Sequence, residues 1–107
     1  MNVTLKSFPN APDNWDIKIA ENTAKTDGVN LSDDHWDLIR ALQEYYRKVD
    51  FPNLRQIKDA LEEKFHSRGG MKYLYQIIPG GPVAEGCRLA GLNVPSGAID
   101  KSFGSTA

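Results

Sequence analysis

Apolar residues recur along this chain at helical spacing in short stripes, each closed by glycine, proline or asparagine. From Asn14 to about Lys25, Ile17, Ala20 and Ala24 share one helical face, although Trp15, Ile17 and Ile19 also alternate; a helix ending at Gly28 is expected. Ser32 then offers an N-cap oxygen, Asp33 and Asp34 place negative charge at the positive end of the helix dipole, and Leu38, Ile39, Leu42, Tyr45, Tyr46 and Val49 make a wide apolar stripe. Asp50-Phe51-Pro52 breaks that helix. Asn53 with Gln56 three residues on is a capping-box start, and Leu54, Ile57, Leu61 and Phe65 line the next helix, with Gly69-Gly70 as its stop. Met71 to Ile78 suits a buried helix or a strand equally. Pro79-Gly80-Gly81-Pro82 is a turn that sets Pro82 at the first position of a last short helix, which Gly91 ends.

The pattern predicts a mainly α fold of four or five short helices in a small orthogonal bundle with a helix-turn-helix-like centre. Residues 1–13, with Pro9 and Pro12, read as an arm or short strand, 14–91 as the helical domain and 92–107 as a flexible C-terminal arm, where little apolar surface offsets the entropy of ordering. A chain of 107 residues holds one modest core. Its 13 basic and 14 acidic residues leave a net charge of -1, which gives nucleic acid or an anionic membrane no global field to follow. The start of the chain lacks a signal-peptide run and nothing approaches a membrane span, so a cytoplasmic location is expected.

One cysteine, Cys87, excludes an internal disulfide and a cysteine-based zinc site. It shares a helical face with Val83 and Ala90, so it reads as a buried small hydrophobe or as a nucleophile whose pKa Arg88 lowers. His35 and His66 have no carboxylate or second histidine at ligand spacing, which points to surface or cap roles; no metal or cofactor is expected. The glycine pairs lack a following Gly-Lys-Ser/Thr and read as turns. No nucleophile with its base is evident, so the chain is not expected to be a free-standing enzyme.

Three blocks carry a resemblance: Leu31-Ser32-Asp33-Asp34-His35-Trp36, then Phe51-Pro52-Asn53-Leu54-Arg55 with Leu61 and Phe65, then Tyr73-Leu74-Tyr75 through Pro82 to Gly97. Together they make the chain resemble the DsrC/TusE family, the gamma-subunit-like proteins of dissimilatory sulfite reductase and sulfur relay. The resemblance implies a small helical fold, a short N-terminal β-hairpin, and a swinging arm whose near-terminal cysteine carries persulfide sulfur. By the same comparison Cys87 falls on an upstream cysteine, Ala98 stands where the carrier cysteine belongs, and nine residues follow Ala98 where the family normally has one. Gly80 and Ala84 occupy positions that are often Lys.

Ala98 lies eleven positions beyond Cys87, so an extended arm would reach roughly 35 to 40 Å, far enough for its tip to enter a deep partner cleft. The reading that follows is a non-catalytic, regulatory DsrC-like protein docking on a sulfite reductase or sulfurtransferase, with Arg88, Gly91, Leu92, Pro95, Gly97 and Ala98 as the partner-binding arm. One alternative is a persulfide carrier using Cys87. Another is a helix-turn-helix DNA-binding regulator, weakened because Arg55, Lys58 and Lys64 alternate with Asp59, Glu62 and Glu63.

Overall fold

Local capping sets where each helix begins. In the computed structural model, which describes residues 8–98, α1 (Ile17–Asp27) starts at Ile17 because the Asp16 carboxylate accepts the Ile19 N–H at 2.9 Å; it ends on Gly28 in the left-handed region. α2 (Asp33–Lys48) starts after Ser32, and α3 (Leu54–Lys64) starts after Asn53, whose side chain and that of Gln56 cap each other's backbone N–H groups. α3 stops at Lys64, ahead of the Gly69-Gly70 pair, and a 3-10 turn over His66–Arg68 fills the gap. The ambiguous apolar segment is a helix, α4 (Gly70–Ile77), and α5 (Pro82–Ala90) has proline at its first position.

Among the described residues the fold is five α-helices with no strand, and no helix is long and apolar enough to cross a membrane. Of the expected N-terminal arm or short strand over residues 1–13, residues 1–7 lie outside the described residues, and residues 8–13 hold turns and no strand. The end of the expected arm, residues 99–107, likewise lies outside them.

α5 packs on α1 and α2, and α3 packs on α2 and α4. Two apolar clusters result. One joins Leu38, Leu42, Ile57, Leu61, Phe65, Leu74, Ile78, Val83 and Cys87; the other joins Phe8, Trp15, Ala20, Ala24, Trp36, Ile39, Leu89 and Ala90. α2 and α5 feed both, so these two helices form the spine, with each fully buried Leu or Ile contributing about 1.5–3 kcal/mol. Gly86 allows their close approach: a Cβ there would lie 2.7 Å from Leu42 Cδ1. Phe8 stacks edge-on against Trp15 at 5.1 Å and tilts over Trp36 at 5.7 Å, closing the second cluster.

The α2–α3 turn is the helix-turn-helix-like centre, and it carries an oddity. Phe51 adopts φ 49°, in the left-handed region, and is 95 % exposed, so it strains the backbone without packing in return.

Candidate functional site

The residues expected to bear function cluster where α5 gives way to the arm. Gly91 turns the chain with φ 75°; its N–H reaches the Arg88 carbonyl and the Leu92 N–H donates to the Cys87 carbonyl at 2.9 Å. Two carbonyls remain, and side chains from elsewhere meet them. The Trp15 indole N–H donates to Leu89 O at 2.6 Å, and Gln43 Nε2 donates to Ala90 O at 3.0 Å. All four terminal carbonyls of α5 are thereby satisfied, which sets the direction in which the arm leaves.

The helical domain ends at Gly91 as a helix but not as packing. Leu92 packs against both apolar clusters, Val94 and Ala98 pack against the one containing Cys87, and the Tyr46 hydroxyl donates to the Asn93 carbonyl at 2.6 Å. Pro95 supplies the carbonyl for a turn closed by the Ala98 N–H, with Gly97 at φ 87°. Ala98 thus lies beside a cleft of about 220 Å³ lined by Leu54, Lys58, Tyr75, Gly80 and Gly81.

Cys87 is 0 % exposed, in one cluster with Leu38, Leu42 and Val83. Burial pushes its thiol up to about 11, and the Tyr46 hydroxyl oxygen lies 3.5 Å from Sγ. A thiol so placed is almost wholly protonated at neutral pH and is a poor nucleophile. Arg88 does not serve it. Its guanidinium turns to Asp27, with contacts of 3.1 and 3.2 Å. Beside that pair stands Glu85, raised to about 7 by burial and by Asp27, while hydrogen bonds from Glu85 and Arg88 hold Asp27 below the usual carboxylate range. These three groups border a cleft of about 630 Å³ between the ends of α1 and α4, closed on one side by Val94.

His35 is buried and works as a clamp. Nδ1 accepts the Ser32 backbone N–H at 3.1 Å, so the ring proton sits on Nε2, which donates to Ile77 O at 3.1 Å. The imidazole joins the start of α2 to the end of α4. His66 is exposed and, against expectation, has a carboxylate one helical turn before it, Glu62 Oε2 at 3.9 Å from Nδ1; among the described residues no three His, Cys, Asp or Glu side chains gather as a metal site.

Arg68 bonds Asp34 and Asp37 at 2.9 Å each, and Lys64 of α3 faces Glu44 at 3.6 Å. Tyr73 completes the first network by donating to Asp34. These cations therefore face acids of their own chain, which lowers the phosphate attraction a DNA-binding helix needs.

Sequence reasoning assigns Trp15 and Tyr46 to general packing and does not mark Gln43. Their partners lie 74, 47 and 47 residues away, beyond the reach of any local pattern.

Comparison with known proteins gives one consistent answer. A family described as "DsrC like protein" matches residues 1–99. The chain is 32 % identical over 83 residues to the sulfurtransferase TusE of Photorhabdus laumondii, covering 76 % of this chain and 75 % of that one. To the sulfurtransferase TusE of Escherichia coli K12 it is 31 % identical over 83 residues, 76 % of each chain. The NMR structure of Allochromatium vinosum DsrC superposes with a TM-score of 0.67 at 36 % identity, over 84 % of this chain and 85 % of that one.

Proposed function

The chain belongs to the DsrC-like family, and from that premise we propose that it is a sulfur-relay protein of the DsrC/TusE type which docks on sulfur-transfer partners without itself carrying sulfur. The observation behind the second half is the state of its one thiol. Cys87 is sealed in the core with its pKa raised to about 11, and on the family resemblance Ala98, a methyl group with no chemistry to offer, takes the place of the carrier cysteine.

Persulfide transfer needs a thiolate that attacks the donor's outer sulfur while the donor leaves as its own thiolate. Cys87 supplies neither the ionisation nor the access. What the chain retains is a shape: the helical body, and an arm whose exit is set by Trp15 and Gln43 and whose residues Arg88, Gly91, Leu92, Pro95, Gly97 and Ala98 form the partner-facing segment. A body that docks on a sulfite reductase or sulfurtransferase and delivers nothing competes with a true carrier, which makes a regulatory role the natural one.

The test is the intact mass of the folded chain after exposure to a persulfide donor at neutral pH. The wild type should gain no sulfur when folded and one atom when unfolded in urea; Ala98→Cys should gain one when folded. Uptake by the folded wild type that disappears in Cys87→Ser would overturn the non-carrier reading. Failure to bind any sulfurtransferase or sulfite reductase component would overturn the docking reading.

A further inference from the structure

The Tyr46 hydroxyl touches two elements at once. It lies 2.6 Å from the Asn93 carbonyl oxygen and 3.5 Å from Cys87 Sγ. A carbonyl oxygen only accepts, so the single phenolic hydrogen goes to Asn93, and the contact to sulfur is made by the Cys87 S–H donating to the phenol oxygen. Among the described residues this is the one hydrogen bond from a helical-body side chain to residues 92–98. On either side of Asn93, Leu92 and Val94 press on the cluster that contains Cys87. Both are only partly buried, so lifting this short segment exposes far less apolar surface than unfolding the bundle.

We propose that Tyr46 latches residues 92–94 as a strap over Cys87, so that the thiol meets solvent or a reagent only when the strap lifts. Arm position and thiol access then become one equilibrium. A partner that draws the arm away would uncover Cys87, and a group attached to Cys87 would hold the strap open, since no room for it exists in the packed cluster. The coupling is a property of the packing and holds whether or not the protein serves a sulfur relay.

Alkylation of Cys87 by iodoacetamide, in the full chain and across a series of low urea concentrations, tests it. If the strap gates the thiol, the wild-type rate is nearly flat at low urea, because strap opening exposes little surface, and turns steeply upward only where global unfolding takes over. Tyr46→Phe keeps the ring and removes the latch, and should raise the flat part of the rate about three- to tenfold, the factor one hydrogen bond is worth. Asp16→Ala, which removes the N-cap of α1 and lies in neither apolar cluster, should move the steep part and leave the flat part unchanged. An alkylation rate that follows global unfolding at every urea concentration overturns the strap from the wild type alone, even if Tyr46→Phe folds poorly. A Tyr46→Phe rate equal to wild type in the flat region overturns Tyr46 as the latch.

Discussion

Trp15→Phe and Gln43→Met remove the two side-chain caps at the end of α5, and the structure predicts a large loss of stability for the first and almost none for the second. The indole N–H to Leu89 O contact is short and buried. Its loss strands a buried carbonyl, at about 1–3 kcal/mol. The smaller phenyl ring also leaves unfilled space beside Phe8, worth roughly 1–2 kcal/mol by the methylene scale. Trp15→Phe should therefore cost about 2–5 kcal/mol. Gln43 is 1 % exposed and also donates to a carbonyl, but its own Oε1 is buried with no partner among the described residues. Methionine of similar size loses the same bond and at the same time removes that orphaned acceptor, so the two terms of about 1–3 kcal/mol oppose each other. Gln43→Met should fall within about 1 kcal/mol of wild type. Urea unfolding followed by far-UV circular dichroism reads both; with a slope of about 1.2 kcal/mol/M, Trp15→Phe should lower the midpoint by roughly 2–4 M and Gln43→Met by less than about 1 M. Equal losses in the two variants, or a Trp15→Phe midpoint unchanged, would refute the account of how the end of α5 is held.

The carboxyl pair beside Arg88 predicts a pH profile. Glu85 keeps its proton in the folded state up to about 7 against 4.5 when unfolded, so stability falls as pH rises from 4.5 to 7 and levels above it. Solvent screening at this part-exposed site reduces the fall to roughly 1–2 kcal/mol, and Glu85→Gln should abolish it in unfolding measurements at stepped pH. Asp27 works in the other direction: its stabilisation is present above 3.8 and is lost as acid carries the pH down through its lower folded value, a limb Glu85→Gln should retain. Phe51→Asn should raise stability by about 0.5–1 kcal/mol in thermal unfolding, since asparagine tolerates the left-handed region and Phe51 has no packing to lose. Gly91→Ala should lower it by about 2–3 kcal/mol, because a Cβ there meets Trp15 Cδ1 at 2.8 Å on a backbone already at positive φ.

The sequence by itself determined the helices, because what starts and stops them lies within four residues: the Asn53–Gln56 box, Ser32 before α2, Pro82 at the head of α5, and Gly28 and Gly91 as left-handed caps. It also placed Cys87 on the apolar face of α5, since one helical period suffices for that. Where the signal was weaker, at α4, the choice between helix and strand fell to tertiary terms: Glu62 Oε1 accepts the Met71 N–H and His35 holds Ile77 O, capping both ends of an eight-residue helix that has no side-chain N-cap of its own. The site followed the same division. Which residues could carry chemistry was legible, but the sealing of the thiol under Tyr46, the turning of Arg88 toward Asp27 and the exit of the arm past Trp15 and Gln43 were not. Each depends on groups brought together from 41 to 74 residues apart. Hydrogen-bond direction and burial are properties of assembled surfaces, and only the packing of α2 and α1 against α5 creates them.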